Sequence, residues 1–299
     1  MPRMDVYTQV TARIVAALRE GTVPWKKPWR SAGGVPISMS TGKPYRGVNV
    51  LILGMANYAD ARWGTYKAIS NAGGQVRKGE KSTSIILWKP VERRKQADEN
   101  QDGKYLLLTS YAVFNAAQAD GLPELEPEEF REFGPIELAE RLVAGYVWEQ
   151  GSGNNGPPVS HGHNGAAYSL TRDVVEMPTP EAFDSDESYY TTLFHELVHS
   201  TGAEKRLKRI EPALFGTDPY AKEELVAEVG ASFLAGMAEF EDAGGQQSAA
   251  YLANWLQRFE DDPKLIVQAA AQAQKAVDLI AGTTFEKEAD IALAGSTVV

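Results

Sequence analysis

The sequence predicts an α+β protein in two parts: a basic N-terminal α+β domain, then a mainly helical domain. Three observations lead there. Residues 1–95 carry 17 Lys and Arg against 5 Asp and Glu, a net of +12, while the rest of the chain stands at −22 within an overall −10. An acidic, proline-containing stretch, Gly121-Leu-Pro-Glu-Leu-Glu-Pro-Glu-Glu, separates the two regions. The longer strand-like runs lie before that stretch, and most of the amphipathic runs of helical period lie after it. A chain of 299 residues is long enough for two domains. We place them at residues 1–120 and 135–299, joined by an acidic linker at 121–134.

Asp5 to Glu20 reads as a helix, with Val6, Val10, Ile14, Val15 and Leu18 on one side and Gly21 at its end. Pro24 and Pro28 then stiffen Thr22 to Arg30. Further helices are predicted at Gly47 to Tyr58 and at Thr65 to Ala72, the latter closed by Gly73-Gly74. Val76 to Lys81 is a turn feeding a strand at Ser82 to Trp88, and Lys104 to Phe114 is its hairpin partner across the polar loop Glu92 to Gly103. Beyond the linker, a helix is predicted at Pro135 to Gln150 and a Gly/Asn/Pro loop at Gly151 to Pro158. Short extended pieces follow at Ala166 to Leu170 and Asp173 to Met177. Helices at about 187–201, 219–240, 248–259 and 263–281 complete the chain, with a loose tail after Gly282.

Composition excludes several classes. Apolar residues make up 43% and charged residues 23%, a foldable balance. The longest apolar run, Val48 to Met55, is far short of the roughly 18 residues of a membrane span, so no membrane partner is expected. The first residues run directly into a helical pattern, so no secretory leader is expected. The absence of cysteine removes disulfides, thiolate metal sites and cysteine nucleophiles, and suits a cytoplasmic location. The four histidines, at 161, 163, 195 and 199, are the only imidazoles open to a metal.

His195-Glu196-Leu197-Val198-His199 carries the clearest chemistry. By composition the pattern would arise by chance about 0.005 times in such a chain. At spacing i, i+4 on a helix both imidazoles project from one face and can hold one ion, expected to be a divalent cation and most naturally zinc. Glu196, beside them, is placed to take a proton from water at the metal. Met-turn metalloproteases continue the motif with a glycine and a third histidine. Gly202 matches that glycine, but Lys205 stands where the histidine would be, which excludes them.

In Glu-type zincins the third ligand lies on the next helix in a Glu-x-x-Ala pattern. Glu224-Leu-Val-Ala227 and Glu228-Val-Gly-Ala231 both fit. The run from Glu228 to Ala235 resembles the ligand helix of IrrE-like metallopeptidases, so Glu228 is the expected ligand. Glu224 is kept as an outer partner or alternative ligand. His161 and His163, on a Gly/Asn-rich stretch, are read as unconnected to metal, Tyr220 is assigned no role, and Arg206 and Arg209 are expected at the surface.

The basic region interleaves cations with flat rings: Trp25-Lys26-Lys27-Pro28-Trp29-Arg30, Tyr45-Arg46-Gly47-Val48-Asn49, Trp63 with Lys67, and Arg77-Lys78-Gly79-Glu80-Lys81. Single-stranded nucleic acid is held by such a mixture, with cations along the phosphates and aromatics under the bases. Trp25, Lys26, Lys27, Trp29, Arg30, Tyr45, Arg46, Asn49, Trp63, Lys67, Arg77, Lys78 and Lys81 are therefore the candidate DNA contacts.

With these motifs in place, the chain resembles ArdC-type antirestriction proteins of conjugative plasmids over nearly its whole length. The resemblance rests on Val23-Pro-Trp-Lys-Lys-Pro-Trp29, Tyr45-Arg-Gly-Val-Asn49, Gly73 to Lys81, Phe114-Asn-Ala-Ala-Gln118, Phe194 to Gly202, Arg206-Leu207 and Tyr220 to Glu228. It implies an N-terminal domain that binds single-stranded DNA, a zincin-like metallopeptidase domain, and protection of incoming plasmid DNA from host restriction during conjugation. Two alternatives stay open from the residues alone. In one, the zincin domain serves structure or regulation without proteolysis; in the other, the first domain docks a protein substrate for a peptidase.

Overall fold

The computed structural model describes residues 5–25, 32–56, 58–92, 104–123, 135–210, 218–240 and 249–283. It has mixed helix and strand, as the charge and period patterns predict. Helix α1 (Val6–Arg19) starts at Asp5, whose side chain accepts from the Thr8 backbone N–H at 3.1 Å. Its stripe of Val10, Ile14, Val15 and Leu18 is buried.

Next come β1 (Ala32–Ser38), α2 (Val48–Gly54), β2 (Asp60–Gly64), α3 (Tyr66–Asn71) and β3 (Gln75–Val76). The hairpin β4 (Thr83–Glu92) and β5 (Lys104–Asn115) and the short β6 (Ala119–Asp120) follow. Four strands form one sheet in the order β1-β2-β5-β4, with β1 and β2 parallel and the other pairs antiparallel; β3 pairs with β6. The hairpin is longer than expected, in register from Thr83 opposite Val113 to Glu92 opposite Lys104. Pro90 is tolerated because β4 lies at the sheet edge, where a missing N–H breaks no ladder. Strands β1 and β2 were not expected. The Gly and Pro of β1 resemble a loop, and this strand too is an edge.

The second half contains α4 (Pro135–Tyr146), then β7 (Val159–His161), β8 (Ala167–Ser169) and β9 (Val174–Met177) in the order β7-β9-β8. Helices α5 (Asp186–Thr201), α6 (Asp218–Met237), α7 (Ala249–Asp261) and α8 (Leu265–Ile280) complete it. No helix among the described residues is long and apolar enough to cross a membrane.

The main apolar core does not stop at the charge boundary. Residues of α1 and α2 share it with α5 to α8, while a smaller cluster of Leu53, Trp63, Ile85 and Val113 lies against the first sheet. Polar ties reinforce the join: Thr11 Oγ1 donates to the Pro263 carbonyl at 2.6 Å, the Gly47 N–H donates to Gln274 at 2.9 Å, and Arg46 pairs with Asp278. Most of the expected linker, residues 124–134, lies outside the described residues.

Candidate metal centre

Helix α5 begins at Ser185, whose hydroxyl accepts from the Ser188 N–H, with Asp186 and Glu187 in the first turn facing the positive end of the helix dipole. One turn separates His195 from His199, and their Nε2 atoms stand 3.1 Å apart. Helix α6 brings Glu224 against both: Oε2 lies 3.5 Å from His195 Nε2 and Oε1 lies 3.5 Å from His199 Nε2. Ligand atoms about 2.1 Å from one ion at tetrahedral angles are roughly 3.4 Å from one another, so the donor set and its spacing fit a divalent metal. All three residues offer an atom within 4.8 Å of the others. The close approach of the two helices depends on Gly230, where a Cβ would stand 2.8 Å from a Val198 methyl.

The expectation for Glu228 is corrected by this geometry. Its carboxylate accepts the Trp25 indole N–H at 2.8 Å and the Tyr251 hydroxyl. One turn along a helix is about 5.4 Å, enough to carry the side chain past the histidines toward α7. Glu228 therefore anchors the N-terminal segment, and Glu224 is the carboxylate that stands beside both histidines.

Two groups that the sequence reading did not connect to the site support it. Glu223 Oε1 lies 3.2 Å from His199 Nδ1, and Arg209 holds the same carboxylate with two bonds of 2.7 and 2.8 Å. Arg209 also donates to the Val198 carbonyl at 2.9 Å. Its side chain is only 9% exposed and that of Arg206 only 2%, so both point inward and the surface expectation for both is corrected. Arg206 is spent on the Ser200 carbonyl, the Asn155 carbonyl and Asp173. The only advance signal was their position just after the histidine motif.

Burial works against a charged imidazole at His199, but hydrogen bonds to Glu223 and Glu224 outweigh it and raise its pKa to about 9. Burial pushes Glu224 up, yet the two imidazoles hold it well below the usual carboxylate range. Glu196 is buried, and its Oε2 accepts the Tyr168 backbone N–H of β8 at 2.8 Å. Tyr168 is held in turn by its hydroxyl, which donates to Asp173 at 2.7 Å.

His195, Glu196, His199 and Glu224 line one cavity of about 1120 Å³ between β8 and the helices α5, α6 and α8. Tyr220 lines it too, its phenol pushed up to about 12 by burial and by the adjacent Glu224. His161 ends β7 rather than lying in a loop, and its Nε2 bonds the Tyr189 hydroxyl at 2.8 Å; His163 bonds Ser160 at 3.0 Å.

The DNA candidates divide sharply. Trp25 is 0% exposed, with its ring edge against Trp255 and Phe259, and Trp63 is 2% exposed in the smaller core. Neither can lie under a base, which corrects both expectations. Asn49 is also buried, because its amide pairs with both the N–H and the carbonyl of Ile86. Tyr45 is half-buried, and Arg46 and Arg77 are engaged by Asp278 and by Glu80 and Asp120. Lys67, Lys78 and Lys81 are exposed. Lys26, Lys27, Trp29 and Arg30 lie outside the described residues.

Two family matches fall on separate parts of the chain. Residues 4–114 match the N-terminal domain of the anti-restriction factor ArdC, and residues 149–272 match a zincin-like metallopeptidase family. The metal-free crystal structure of the antirestriction ArdC protein from plasmid R388 is similar with a TM-score of 0.75 at 35% identity, covering 94% of this chain and all of that one. Its Mn(II)-bound form gives 0.73 at 36% identity, covering 93% and 97%. The DNA primase TraC of Escherichia coli is 37% identical over 295 residues, 92% of this chain, which spans only 27% of the primase's length.

Proposed function

The chain belongs to the ArdC family of antirestriction proteins, with a zincin-like domain that supports binding of a divalent metal, and from that premise we propose a more specific activity. Residues 1–120 bind single-stranded DNA with little sequence preference. Residues 135–299 form a zinc metallopeptidase whose ligands are His195, His199 and Glu224. Together they protect incoming conjugative DNA from host restriction in the recipient cytoplasm. The observation that carries the reading is the convergence of two imidazole nitrogens and a carboxylate within 4.8 Å, in a cavity that also holds Glu196.

A divalent ion held there supplies Lewis acidity, polarising a carbonyl and acidifying water toward neutral pH. The chain's own groups do the rest. Glu223, fixed by Arg209, takes the His199 Nδ1–H, so that Nε2 presents its lone pair to the cavity. The Tyr168 N–H fixes one oxygen of Glu196 and leaves the other to accept a proton from attacking water. Glu196 then returns that proton to the leaving nitrogen of a cleaved peptide bond. Tyr220, holding its proton, directs its hydroxyl to Glu224 at the cavity wall.

The test has two arms. Binding of labelled single-stranded and duplex oligonucleotides across a salt series should favour the single strand, with log K falling linearly in log salt. Zinc-loaded protein with DNA present should cleave a peptide library, and Glu196→Ala should not. Equal affinity for duplex, or cleavage that survives Glu196→Ala, would overturn the corresponding half.

A further inference from the structure

We propose that Tyr66, with Lys67, Lys78 and Lys81, forms the surface on which single-stranded nucleic acid lies, with the Tyr66 ring as the platform for a base. This rests on the reading that the N-terminal region binds single-stranded DNA, and it places that binding at the corner between α3 and β3. Trp25 and Trp63 of that region are both buried. Tyr66, by contrast, is 51% exposed, one of three large hydrophobic side chains so exposed among the described residues.

Its ring is held in place as well as exposed. Thr65 caps α3 through its hydroxyl, which accepts the Ala68 N–H at 3.1 Å, and Gln75 of β3 donates to the Tyr66 hydroxyl. A ring tethered at its hydroxyl loses little freedom when a base settles on its face, and every base offers such a face. Duplex DNA, with its bases already stacked inside, offers none.

Exposed cations lie on the two elements that meet at the ring. Lys67 follows it on α3, and Lys78 and Lys81 stand on the turn that leaves β3. That turn is rigid: Gly79 takes a φ of +93° that a larger residue would resist. Arg77 grips Glu80, Asp120 and the Ala117 carbonyl, while Gln118 donates to Glu80 at 3.0 Å and to the Lys81 carbonyl at 2.9 Å. Arg77 thereby engages both acidic groups on this surface and offsets one of their two charges. Among the described residues, Lys67, Lys78 and Lys81 have no acidic partner, so their charges are free for phosphates.

The experiment is anisotropy of a labelled oligothymidylate with full-length protein across a salt series. Tyr66→Ala should weaken binding about tenfold or more with an unchanged salt slope. Tyr66→Phe, which keeps the ring but loses the tether to Gln75, should lose clearly less, about two- to fivefold. Replacing the three lysines by glutamine should reduce the slope by about 2, near 0.7 for each phosphate no longer neutralised. If Tyr66→Ala lowers the thermal midpoint, Tyr66→Leu keeps the bulk without the aromatic face and should show the same loss. Wild-type binding that both variants leave intact overturns this surface and spares the DNA reading. Absence of wild-type binding overturns both.

Discussion

Glu224 and Glu228 lie one turn apart on α6, and their separate replacement by alanine should divide metal affinity from stability. Glu224→Ala removes a carboxylate that stands 3.5 Å from each histidine nitrogen. Loss of a merely supporting partner costs 10–100-fold in metal affinity, so loss of a ligand atom should exceed about 100-fold. Folding should change less than in Glu228→Ala: Glu224 borders a cavity, and what the metal-free protein loses is its attraction to the two imidazoles. Glu228→Ala instead strips the acceptor from two donors, the Trp25 indole N–H and the Tyr251 hydroxyl. At about 1–3 kcal/mol for each of the two unsatisfied groups, the loss is roughly 2–6 kcal/mol. At about 2–4 °C per kcal/mol this lowers Tm by roughly 4–24 °C. Metal affinity should stay within about threefold of wild type. Competition with a chromophoric chelator reads the affinity, and calorimetry of the metal-free proteins reads the stability. The reverse pattern, with metal lost in Glu228→Ala and retained in Glu224→Ala, would refute the assignment.

Glu223→Gln weakens the hold on His199 Nδ1 and should cost 10–100-fold in metal affinity, measured by the same competition. Gly230→Ala drives a methyl toward Val198 and should destabilise the protein by about 1–3 kcal/mol in urea unfolding, with weaker metal binding as α6 moves off α5. The Asp173 carboxyl is raised by burial but lowered further by Lys205, Tyr168 and Arg206, so its folded pKa lies below the ordinary value. Its contribution is therefore complete above the unfolded pKa of about 4 and is lost as pH falls through the folded value. Asp173→Asn, suited to the φ of 51° there, should flatten the decline of Tm in that acid window; an unchanged acid slope would show that Asp173 does not carry it.

Much of the site was legible because it is local. The placement of His195 and His199 on one face follows from helix geometry at spacing i, i+4, and the capping and apolar pattern around them marks the helix. Local spacing could not choose between Glu224 and Glu228, since both satisfy the same Glu-x-x-Ala pattern. The aromatic-basic clusters misled for a related reason. Trp25 sits beside lysines in sequence, but its environment is made by Glu228, Trp255 and Phe259, more than 200 residues away. Strands β1 and β2 were missed because their pairing, Ala32 with Asp60 and Ser38 with Trp63, joins segments that carry no strong alternation of their own.

The sequence by itself determined the charge division, the mixed α+β character and the histidine pair with its neighbouring glutamate. Each of these depends on composition or on a period that the backbone imposes within a few residues. Only the tertiary structure decided which glutamate meets the histidines, that Glu223 and Arg209 stand behind them, and which rings of the basic region are buried. Burial and partner choice depend on helices and strands brought together from distant parts of the chain, and no local period encodes that meeting.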